Sequence, residues 1–361
     1  MQIEQVTASA REEWNAFAAR QPSFGLLQSW EWGEFKERLG WKPLRIAVRQ
    51  NGNLVAGAQM LVKSSVPGLP GFAYIPRGPI GNWLDIEIAD RLLPELHHLA
   101  SSHKAAFLRI EPPLLNEPEF DETLRRQGFK PSCHSNQPRS TIILDLNQDP
   151  DALLMQMRKK TRQYIKKAIR EGISVRQGQD EDLTAFYELM RATSRRKRIA
   201  HRSRKYYDHA WEIFSQQNQT VMLMATHEDK LLAARTVYRF GSHAAEFHAG
   251  SRDDAATMNP DYLLVWEGIK WAQGQGCSTY DMWGIPNEIN VTTSGEDNLP
   301  EPHRTDGMWG VYHFKRGFST NVVCCVGAYD YVYKPVFYGL LANRFVNTDT
   351  LDRATAWLDR L

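Results

Sequence analysis

The sequence predicts an α/β (α+β) protein of two tandem domains with similar folds, and three observations support this prediction. The chain has 361 residues, which exceeds the length of one ordinary domain. Hydrophobic residues make up 42% and charged residues 24%, a composition typical of globular proteins with apolar cores. The third observation is an internal repeat, in which a hairpin, a strand, a helix and a strand follow one another twice.

The two copies of the repeat begin with matching hairpins. "NGNLVAGAQML" (51–61) aligns with "EDKLLAARTVY" (228–238), so Leu54 corresponds to Leu231 at an offset of 177 residues. Each segment is a turn followed by an apolar strand, and each comes directly after another apolar strand.

Each hairpin is followed by a strand, a helix and a last strand. "IADRLLPELHHLA" and "YLLVWEGIKWAQ" carry apolar residues at helical spacing. The last strands, "FLRIEPP" (107–113) and "TYDMWGI" (279–285), end near Glu111 and Asp281. We expect Asp281 to organise the turn at its strand end. An open sheet with this order suits a GNAT-like (acetyltransferase-type) fold, so we expect two such domains with a cleft between them.

The boundary between the copies is expected near "ILDLNQDPDALL" (143–154), where a strand ends and Asp149 caps the next helix. We therefore assign 1–147 to the first domain and 148–318 to the second. The second begins with a basic helix, whose buried stripe is predicted to comprise Leu154, Met157, Thr161, Ile165 and Ala168.

Charge is concentrated in one part of the chain. The net charge is only +2, yet residues 151–210 hold sixteen Lys/Arg and seven Asp/Glu, and the remainder is net negative. "RKKTRQYIKKAIR" (158–170) and "RRKRIAHRSRK" (195–205) contain seven cations each. Such runs can be solvated helix faces, but two dense clusters in an otherwise acidic chain favour a polyanionic partner.

The sequence shows no pattern for a metal, a secretion signal or a membrane span. The four cysteines form no CxxC and the eleven histidines no HExxH, so we expect no metal site. "MQIEQVTASAREEW" lacks the apolar segment of a signal peptide, and no uncharged apolar run approaches about eighteen residues. We therefore expect a cytoplasmic protein.

Eight segments follow one another along the chain. They are "QSWEWGEFKERLGW" (28–41), "AYIPRGPI" (73–80), "FLRIEPP", "MRKKTRQYIKKAIREGI" (157–173), "HRSRKYY" (201–207), "AGSRD" (249–253), "LLVWEGIKWAQGQGCSTYDMWGI" (263–285) and "GVYHFKRGF" (310–318). In this order they resemble the Fem (FemABX) aminoacyltransferases of bacterial cell-wall synthesis. The resemblance implies two GNAT-like domains, with the first completed by residues 319–361. Because the chain has no sustained heptads, we expect no coiled-coil arm.

The resemblance also implies a reaction. Family members transfer an amino acid, here Gly, Ala or Ser, from aminoacyl-tRNA to the side-chain amine of a peptidoglycan precursor. The precursor is UDP-MurNAc-pentapeptide or lipid II, and the product is the interpeptide bridge. Both substrates are polyanions, which accounts for the basic clusters. The donor ester is already activated, so no cofactor is required. A lipid-linked acceptor would place the protein at the inner face of the plasma membrane.

Three residues match family positions with defined roles, and a fourth, Tyr206, lies four residues after one of them. Lys36 resembles the lysine that contacts the precursor diphosphate, although composition alone would make it a surface lysine. Arg202 resembles the arginine that clamps the same group, and Tyr206, four residues on, is expected to bind the precursor. Lys315, in "YHFKRGF", maps onto a lysine implicated in catalysis; otherwise it is a lysine in a β-turn.

Three further positions are less defined. Arg77 is either a phosphate contact or a loop anchor. Glu111 lies where the family has an aspartate considered as general base, although a substrate hydroxyl can also take the amine proton. His248 lies where the family often has a tyrosine, which leaves its substrate contact open. The cations expected to bind tRNA are Lys159, Lys160, Arg162, Lys166 and Lys167.

Two other functions remain as alternatives. An acyl-CoA-dependent GNAT N-acyltransferase would need a [QR]xxGx[GA] loop that opens a helix, whereas "QGQGCS" (273–278) closes one. A non-catalytic RNA- or envelope-binding protein would satisfy the basic clusters alone. The retention of Lys36, Arg202 and Lys315 together favours the enzyme.

Overall fold

A computed structural model describes residues 1–64, 69–197, 201–290, 292 and 308–346, and for 342–346 it describes the backbone only. The chain divides into two compact units. The first comprises Met1–Arg139 together with Cys324–Leu361, and the second comprises Ser140–Val323. Each unit has its own sheet and its own hydrophobic core.

The described residues form fifteen strands and eleven α-helices. The strands are β1 (Gln2–Gln5), β2 (Lys42–Gln50), β3 (Asn53–Lys63), β4 (Gly71–Pro76), β5 (Ile80–Gly81), β6 (Ala105–Glu111), β7 (Lys130–Pro131), β8 (Ser140–Asp145), β9 (Ser174–Gln177), β10 (Thr220–His227), β11 (Lys230–Phe240), β12 (His243–Ser251), β13 (Thr279–Gly284), β14 (Val322–Cys324) and β15 (Tyr329–Val332). The helices are α1 (Arg11–Ala19), α2 (Trp30–Arg38), α3 (Ile86–Ser102), α4 (Pro118–Arg126), α5 (Pro150–Gln156), α6 (Lys159–Arg170), α7 (Leu183–Lys197), α8 (Arg204–Gln216), α9 (Pro260–Gly274), α10 (Met308–Lys315) and α11 (Pro335–Val346).

The sheet of the first unit has the strand order β1-β2-β3-β4-β6-β15-β7, and the short β5 also pairs with β3. Strands β4 and β6 are parallel, and the other pairs are antiparallel. Helix α3 packs its apolar stripe onto the sheet. Leu92 and Leu96 are fully buried there, as the spacing of leucines in this helix predicts.

The sheet of the second unit has the order β14-β8-β13-β12-β11-β10-β9. Here β12 and β13 are the parallel pair, and the connection between them is helix α9. Helices α6 and α9 pack together, and their apolar residues belong to the same core as the sheet. Helices α7 and α8 also contact this sheet, at β12 and β10 respectively.

The predicted repeat is confirmed. Strand β3 runs from Asn53 to Lys63 and β11 from Lys230 to Phe240, so both of their ends are 177 residues apart. In each unit a hairpin is followed by a strand, a long helix and a strand parallel to the first of these two strands. The mixed α/β architecture of two sheets therefore follows the order read from the sequence.

The unit boundaries differ from the expected ones. Strand β8 pairs with β13 of the second sheet, so the second unit begins at Ser140, eight residues before the expected start. It also continues five residues beyond Phe318, because β14 belongs to the same sheet. The chain returns to the first sheet with β15, which pairs with β6 and β7.

The basic helix is not continuous, contrary to the prediction. It is divided into α5 and α6 at Met157 and Arg158, which have extended backbones (ψ of 151° and 142°). The Arg158 N–H donates to the carbonyl of Gly317 at 2.9 Å, so a tertiary hydrogen bond stabilises the break. The predicted stripe is buried except at Leu154, where Leu153 takes the core position.

The C-terminal segment is held by a buried ion pair. Arg109 of β6 donates to both carboxylate oxygens of Asp330 in β15, at 2.7 and 2.8 Å. The Tyr338 hydroxyl of α11 donates to the same carboxylate. Within the described ranges the longest helix has 17 residues, so they contain no coiled-coil arm. None of these helices is long and apolar enough to span a membrane.

Candidate active site

Lys315, the last residue of α10, has a buried ammonium group. The side chain is 8% exposed. Its Nζ donates to the carbonyl oxygens of Gly284 at 2.8 Å and of Trp283 at 3.2 Å. An ammonium has three N–H groups. Two are thus bonded to backbone oxygens, and no acceptor for the third is found among the described residues. One N–H of Lys315 therefore makes no hydrogen bond to the part of the chain that the structure describes.

The backbone at the end of β13 is shaped to present these carbonyls. Trp283 has a φ of 63°, an unusual value for a residue with a side chain. The carboxylate of Asp281 stabilises this conformation, since it accepts the Trp283 N–H at 2.7 Å and the hydroxyl of Thr141. Asp281 therefore organises the turn, the role expected from the sequence. Strained backbone of this kind is common at functional sites.

The protonation of Lys315 is set by burial and by nearby charges. Burial is the main cause, and it lowers the pKa of Lys315 to about 8. Glu246 and Asp281 raise this pKa, whereas Arg235 and Lys197 lower it. Near neutral pH the side chain is still largely protonated, so it can act as a charged hydrogen-bond donor.

Arg202, Tyr206 and His248 lie close together in the second unit. The guanidinium of Arg202 is 5.3 Å from the ring centre of Tyr206, and that ring contacts His248 edge-on at 5.7 Å. Arg202 precedes α8, whose N-cap is Ser203, so it is not one helical turn from Tyr206. The loop before the helix nevertheless brings the two side chains together.

His248 is neutral in this cluster. Its Nδ1 lies 3.1 Å from the hydroxyl of Thr236, and its ring also contacts Tyr207 at 5.1 Å. Burial among these groups, with a further effect of Arg202, lowers the pKa of His248 to about 3. The imidazole can therefore exchange hydrogen bonds with a ligand, but it carries no charge at physiological pH.

A β-bulge in β12 places Glu246 and His248 on opposite faces of the sheet. Val237 is paired with Glu246 and Thr236 with His248, so Phe247 is the extra residue. Side chains alternate along a strand, and the inserted residue shifts that alternation by one. Glu246 consequently joins the buried face beside Arg235, whereas His248 faces α8. The Phe247 and Trp283 rings are 4.6 Å apart.

Lys36 lies in the first unit, on a set of aromatic rings. Its Nζ is 5.1 Å from the ring centre of Trp32, 5.3 Å from that of Phe35 and 6.0 Å from that of Trp41. The ammonium of Lys63 is 5.3 Å from the Trp41 ring and donates to the carbonyl of Leu39 at 3.3 Å. These rings orient the Lys36 ammonium through cation–π contacts.

Glu111, at the end of β6, is buried and accepts several hydrogen bonds. Its donors are the backbone N–H groups of Asn136, at 2.5 Å, and Gln137, at 3.1 Å, together with the Tyr74 hydroxyl. Burial raises the pKa of Glu111, whereas these hydrogen bonds lower it. Such contacts are typical of a carboxylate that organises a loop. A role as general base stays a prediction.

Arg77 makes the contacts of a loop anchor. It has a φ of 48° and is 8% exposed. One nitrogen donates to the carbonyl of Pro138 at 3.0 Å and another contacts the sulfur of Cys325 at 3.5 Å. These bonds join three segments of the first unit. Its expected phosphate contact stays a prediction.

The five α6 cations expected to bind tRNA divide into two groups. Arg162 donates to the carbonyls of Met155 and Met157, and Lys167 donates to that of Thr257. The other three, which we call the exposed α6 lysines, are exposed to solvent; they are Lys159, Lys160 and Lys166. Of the five, this second group is the more available to a polyanion.

The described residues contain no group of three or more His, Cys, Asp or Glu that could hold a metal ion. The segment 273–278, considered above for CoA, lies at the C-terminal end of α9 and leads into β13. The carbonyl end of a helix dipole repels a diphosphate. This position therefore disfavours CoA binding there.

A buried ion pair near Lys315 was not predicted from the sequence. Arg235 in β11 and Glu246 in β12 are each 4% exposed, and their side chains are in direct contact. Tyr280 donates its hydroxyl to Glu246 at 3.0 Å. The available signal was a charged residue inside each of two apolar strands, "KLLAARTVYRF" and "HAAEFHAGS".

The fold resembles those of solved tandem GNAT proteins. A crystal structure of FemX superposes with a TM-score of 0.81 at 22% identity, covering 95% of this chain and all of that one. A tandem GNAT protein from the clavulanic acid biosynthesis pathway gives 0.56 at 13% identity, covering 91% of this chain and 98% of that one. The protein is therefore one of two GNAT-like domains in tandem.

Sequence comparison identifies the family, and the chain belongs to the FemAB family, whose model matches residues 10–233 and 223–343. One relative is the UDP-N-acetylmuramoylpentapeptide-lysine N(6)-alanyltransferase of Weissella viridescens, 27% identical over 291 residues, which cover 77% of this chain and 85% of the relative. Another is the lipid II:glycine glycyltransferase of Staphylococcus haemolyticus, 21% identical over 404 residues, with coverages of 91% and 93%.

Proposed function

We propose that this protein transfers an amino acid from aminoacyl-tRNA to the side-chain amine of a peptidoglycan precursor and so builds an interpeptide bridge. Both relatives described above are named as transferases of an amino acid, one to UDP-N-acetylmuramoylpentapeptide-lysine and one to lipid II:glycine. Family membership over most of the chain supports the same reaction class here.

The observation that carries the proposal is the buried, oriented ammonium of Lys315. In the reaction the acceptor amine attacks the ester carbonyl, and the C–N bond forms as the carbonyl oxygen becomes negative. The ester C–O bond then breaks, and the proton lost by the amine ends on the ribose hydroxyl that leaves. A donor fixed at the oxyanion before reaction stabilises this transition state. One N–H of Lys315 has no acceptor among the described residues, and we assign it to that task.

Lys36 is assigned to the acceptor. A diphosphate is common to a nucleotide-linked and a lipid-linked precursor, and an ammonium oriented by Trp32, Phe35 and Trp41 suits its oxygens. We assign Arg202 to the acceptor as well, because its guanidinium is held over Tyr206 at the N-terminal end of α8. In this proposal Tyr206 contributes a hydroxyl and His248 a neutral imidazole.

The donor is assigned to the basic surface of the second unit. The exposed α6 lysines lie on one helix and have no role in the core. They provide the sequence-independent phosphate contacts that tRNA binding requires. Arg162 and Lys167 are assigned a supporting role, because they bind backbone carbonyls.

The test is a product assay with defined substrates. The protein is incubated with Gly-, Ala- or Ser-tRNA and with UDP-MurNAc-pentapeptide or lipid II, and the product is identified by mass. One added residue on the stem peptide is expected with at least one pair. Parallel reactions contain acetyl-CoA in place of the charged tRNA. Acetylation there, without aminoacylation, would contradict the proposal, and so would tRNA binding without any transfer.

A further inference from the structure

A buried pair of opposite charges lies beside Lys315, on the face of the second sheet that packs against α9. Arg235 of β11 and Glu246 of β12 contact each other, and Tyr280 of β13 donates to Glu246. Burying two charges in a protein core often costs more free energy than burying apolar side chains of the same size. An ion pair at this position therefore suggests a role beyond packing.

Lys315 experiences both charges of the pair. Among charged groups, Glu246 has the largest effect on the ammonium and favours its protonated form, and the effect of Arg235 is next and opposite. Strand β13 ends at Trp283 and Gly284, whose carbonyls accept the hydrogen bonds of Lys315. The strand register brings Glu246 to this carbonyl end, because Ala245 is paired with Asp281 in the parallel β12–β13 ladder and the Phe247 and Trp283 rings are 4.6 Å apart. The Arg235 guanidinium lies 6.0 Å from the ring centre of Phe314, the residue before Lys315 in α10.

Other charged groups also face Lys315 from the elements around it. Their effects are smaller than that of Glu246, and they oppose one another. Asp281 raises the proton affinity of the ammonium from β13, and Lys197 lowers it from α7. Asp261 of α9 lies 3.9 Å from Arg235 and acts through it.

We propose that Glu246 is a positioning residue for catalysis, which keeps the Lys315 ammonium protonated, and that Arg235 holds Glu246 in place and limits its effect. This proposal rests on the proposed function, in which the charged form of Lys315 stabilises the oxyanion. Without Glu246, Lys315 would be a buried amine beside a buried guanidinium, and it would lose its proton at lower pH. Without Arg235, it would hold its proton to higher pH.

A purely structural role for the pair makes a different prediction. If Arg235 and Glu246 only join the strands, both single substitutions lower the thermal stability. In that case the two substitutions do not shift the titration midpoint of Lys315 in opposite directions. The direction of the titration shift therefore separates the two roles. The full-length protein is used throughout.

The first measurement follows Lys315 by NMR in protein labelled with ¹³C at the lysine ε-carbon, with the signal assigned by its absence in Lys315→Met. The titration midpoint is expected to fall by about one pH unit or more in Glu246→Gln and to rise in Arg235→Met. Glu246→Asp keeps the charge and is expected to retain most of the wild-type midpoint. Glu267→Gln, in α9, is the control and should leave it unchanged.

A double variant, Arg235→Met with Glu246→Gln, keeps the test decisive if a single variant fails to fold. The titration midpoint of Lys315 in the double variant is expected to fall, but by less than in Glu246→Gln. The reason is that Glu246 has a larger effect on the Lys315 ammonium than Arg235 has. Folding is checked by thermal unfolding. Equal midpoints in the folded variants and wild type, or shifts of the same sign in both single variants, would overturn the proposal.

The second measurement is the pH dependence of the single-turnover transfer rate. The descending limb of the profile is expected to follow the NMR midpoint in every variant. If the NMR midpoint of Lys315 shifts in a variant while the descending limb of its pH–rate profile does not, the role of Glu246 in catalysis is overturned. The NMR titration needs no substrate, so the expected midpoint shifts without any transfer by wild type would uphold the electrostatic coupling and refute the proposed function instead.

Discussion

Replacing Lys315 by methionine tests the core of the mechanism. Methionine has nearly the same length and no charge, so it fills the space at the end of α10 and removes the three N–H donors. We expect both substrates to bind within a few-fold of wild-type affinity. The single-turnover rate should fall by about 10²–10³, because removal of one oxyanion donor typically costs this much.

The magnitude follows from the position of the ammonium. Lys315 is 8% exposed, so water cannot replace the missing donor, and the charge acts in a medium of lower dielectric than water. Two opposing effects on stability accompany the change. The carbonyls of Trp283 and Gly284 lose a hydrogen-bond donor, at about 1 kcal/mol each, whereas the burial of a charge is relieved. We therefore expect a small net change in melting temperature.

The pH dependence of stability provides an independent check. The pKa of Lys315 is about 8 in the folded protein, below the value of 10.5 for an unperturbed lysine. Between these values the unfolded chain binds more protons, so the stability of wild type rises with pH relative to Lys315→Met. The stabilising contribution is complete above about pH 10.5 and is lost as the pH falls through 8.

The assay is rapid-quench transfer with saturating enzyme, and affinities are measured separately by filter binding and calorimetry. Lys270→Met is the matched control, because Lys270 lies in the same unit, is 41% exposed and pairs with Glu267 at 2.8 Å. It should transfer at the wild-type rate. A folded Lys315→Met protein with a near-normal rate would remove Lys315 from the mechanism.

Three further predictions concern binding and the first unit. Reversing the charge of all three exposed α6 lysines should weaken tRNA binding and reduce its salt dependence. The control Lys270→Glu should change neither property. Unchanged tRNA binding in the triple variant would show that these lysines only form a solvated helix face. Lys36→Ala should raise the KM for the diphosphate precursor by about 10- to 150-fold, which corresponds to about 1.5–3 kcal/mol, and should leave the KM for tRNA unchanged. The exposed Lys42→Ala is the control, and equal losses for both substrates would refute the assignment. Glu111→Gln should lower the melting temperature with little effect on the single-turnover rate; a stable variant with a slow chemical step would identify Glu111 as a base.

Part of the site was predictable because its residues lie in recognisable local segments. Lys36 lies in the segment 28–41 and is on helix α2, and Arg202 and Tyr206 of the segment 201–207 do meet. Their meeting depends on the N-cap at Ser203, which places Arg202 outside the helix. The sequence identified Arg202 and Tyr206, but the start of α8 at Ser203 determines how their side chains approach each other.

Other features depended on contacts that local sequence does not specify. The break between α5 and α6 is stabilised by a hydrogen bond from Arg158 to Gly317, a residue far along the chain. A side-chain β-carbon at Gly317 would come within 2.3 Å of the Thr161 hydroxyl, so only glycine permits this close approach. Helical periodicity continues through the break, which is why the pattern predicted one helix.

The sequence by itself determined the two sheets, their repeated order of elements and the family. These follow from apolar periodicity and turn residues, which act over a few positions, and from the 177-residue offset between copies. The tertiary structure alone decided the chemistry around Lys315. The bulge at Phe247 selects which strand residues share a face, and the turn at Trp283 aims two carbonyls at the ammonium. The bulge depends on how β11 and β12 pair within their hairpin, and the turn depends on Asp281, which also binds Thr141 of the distant strand β8. Burial there strengthens each electrostatic interaction.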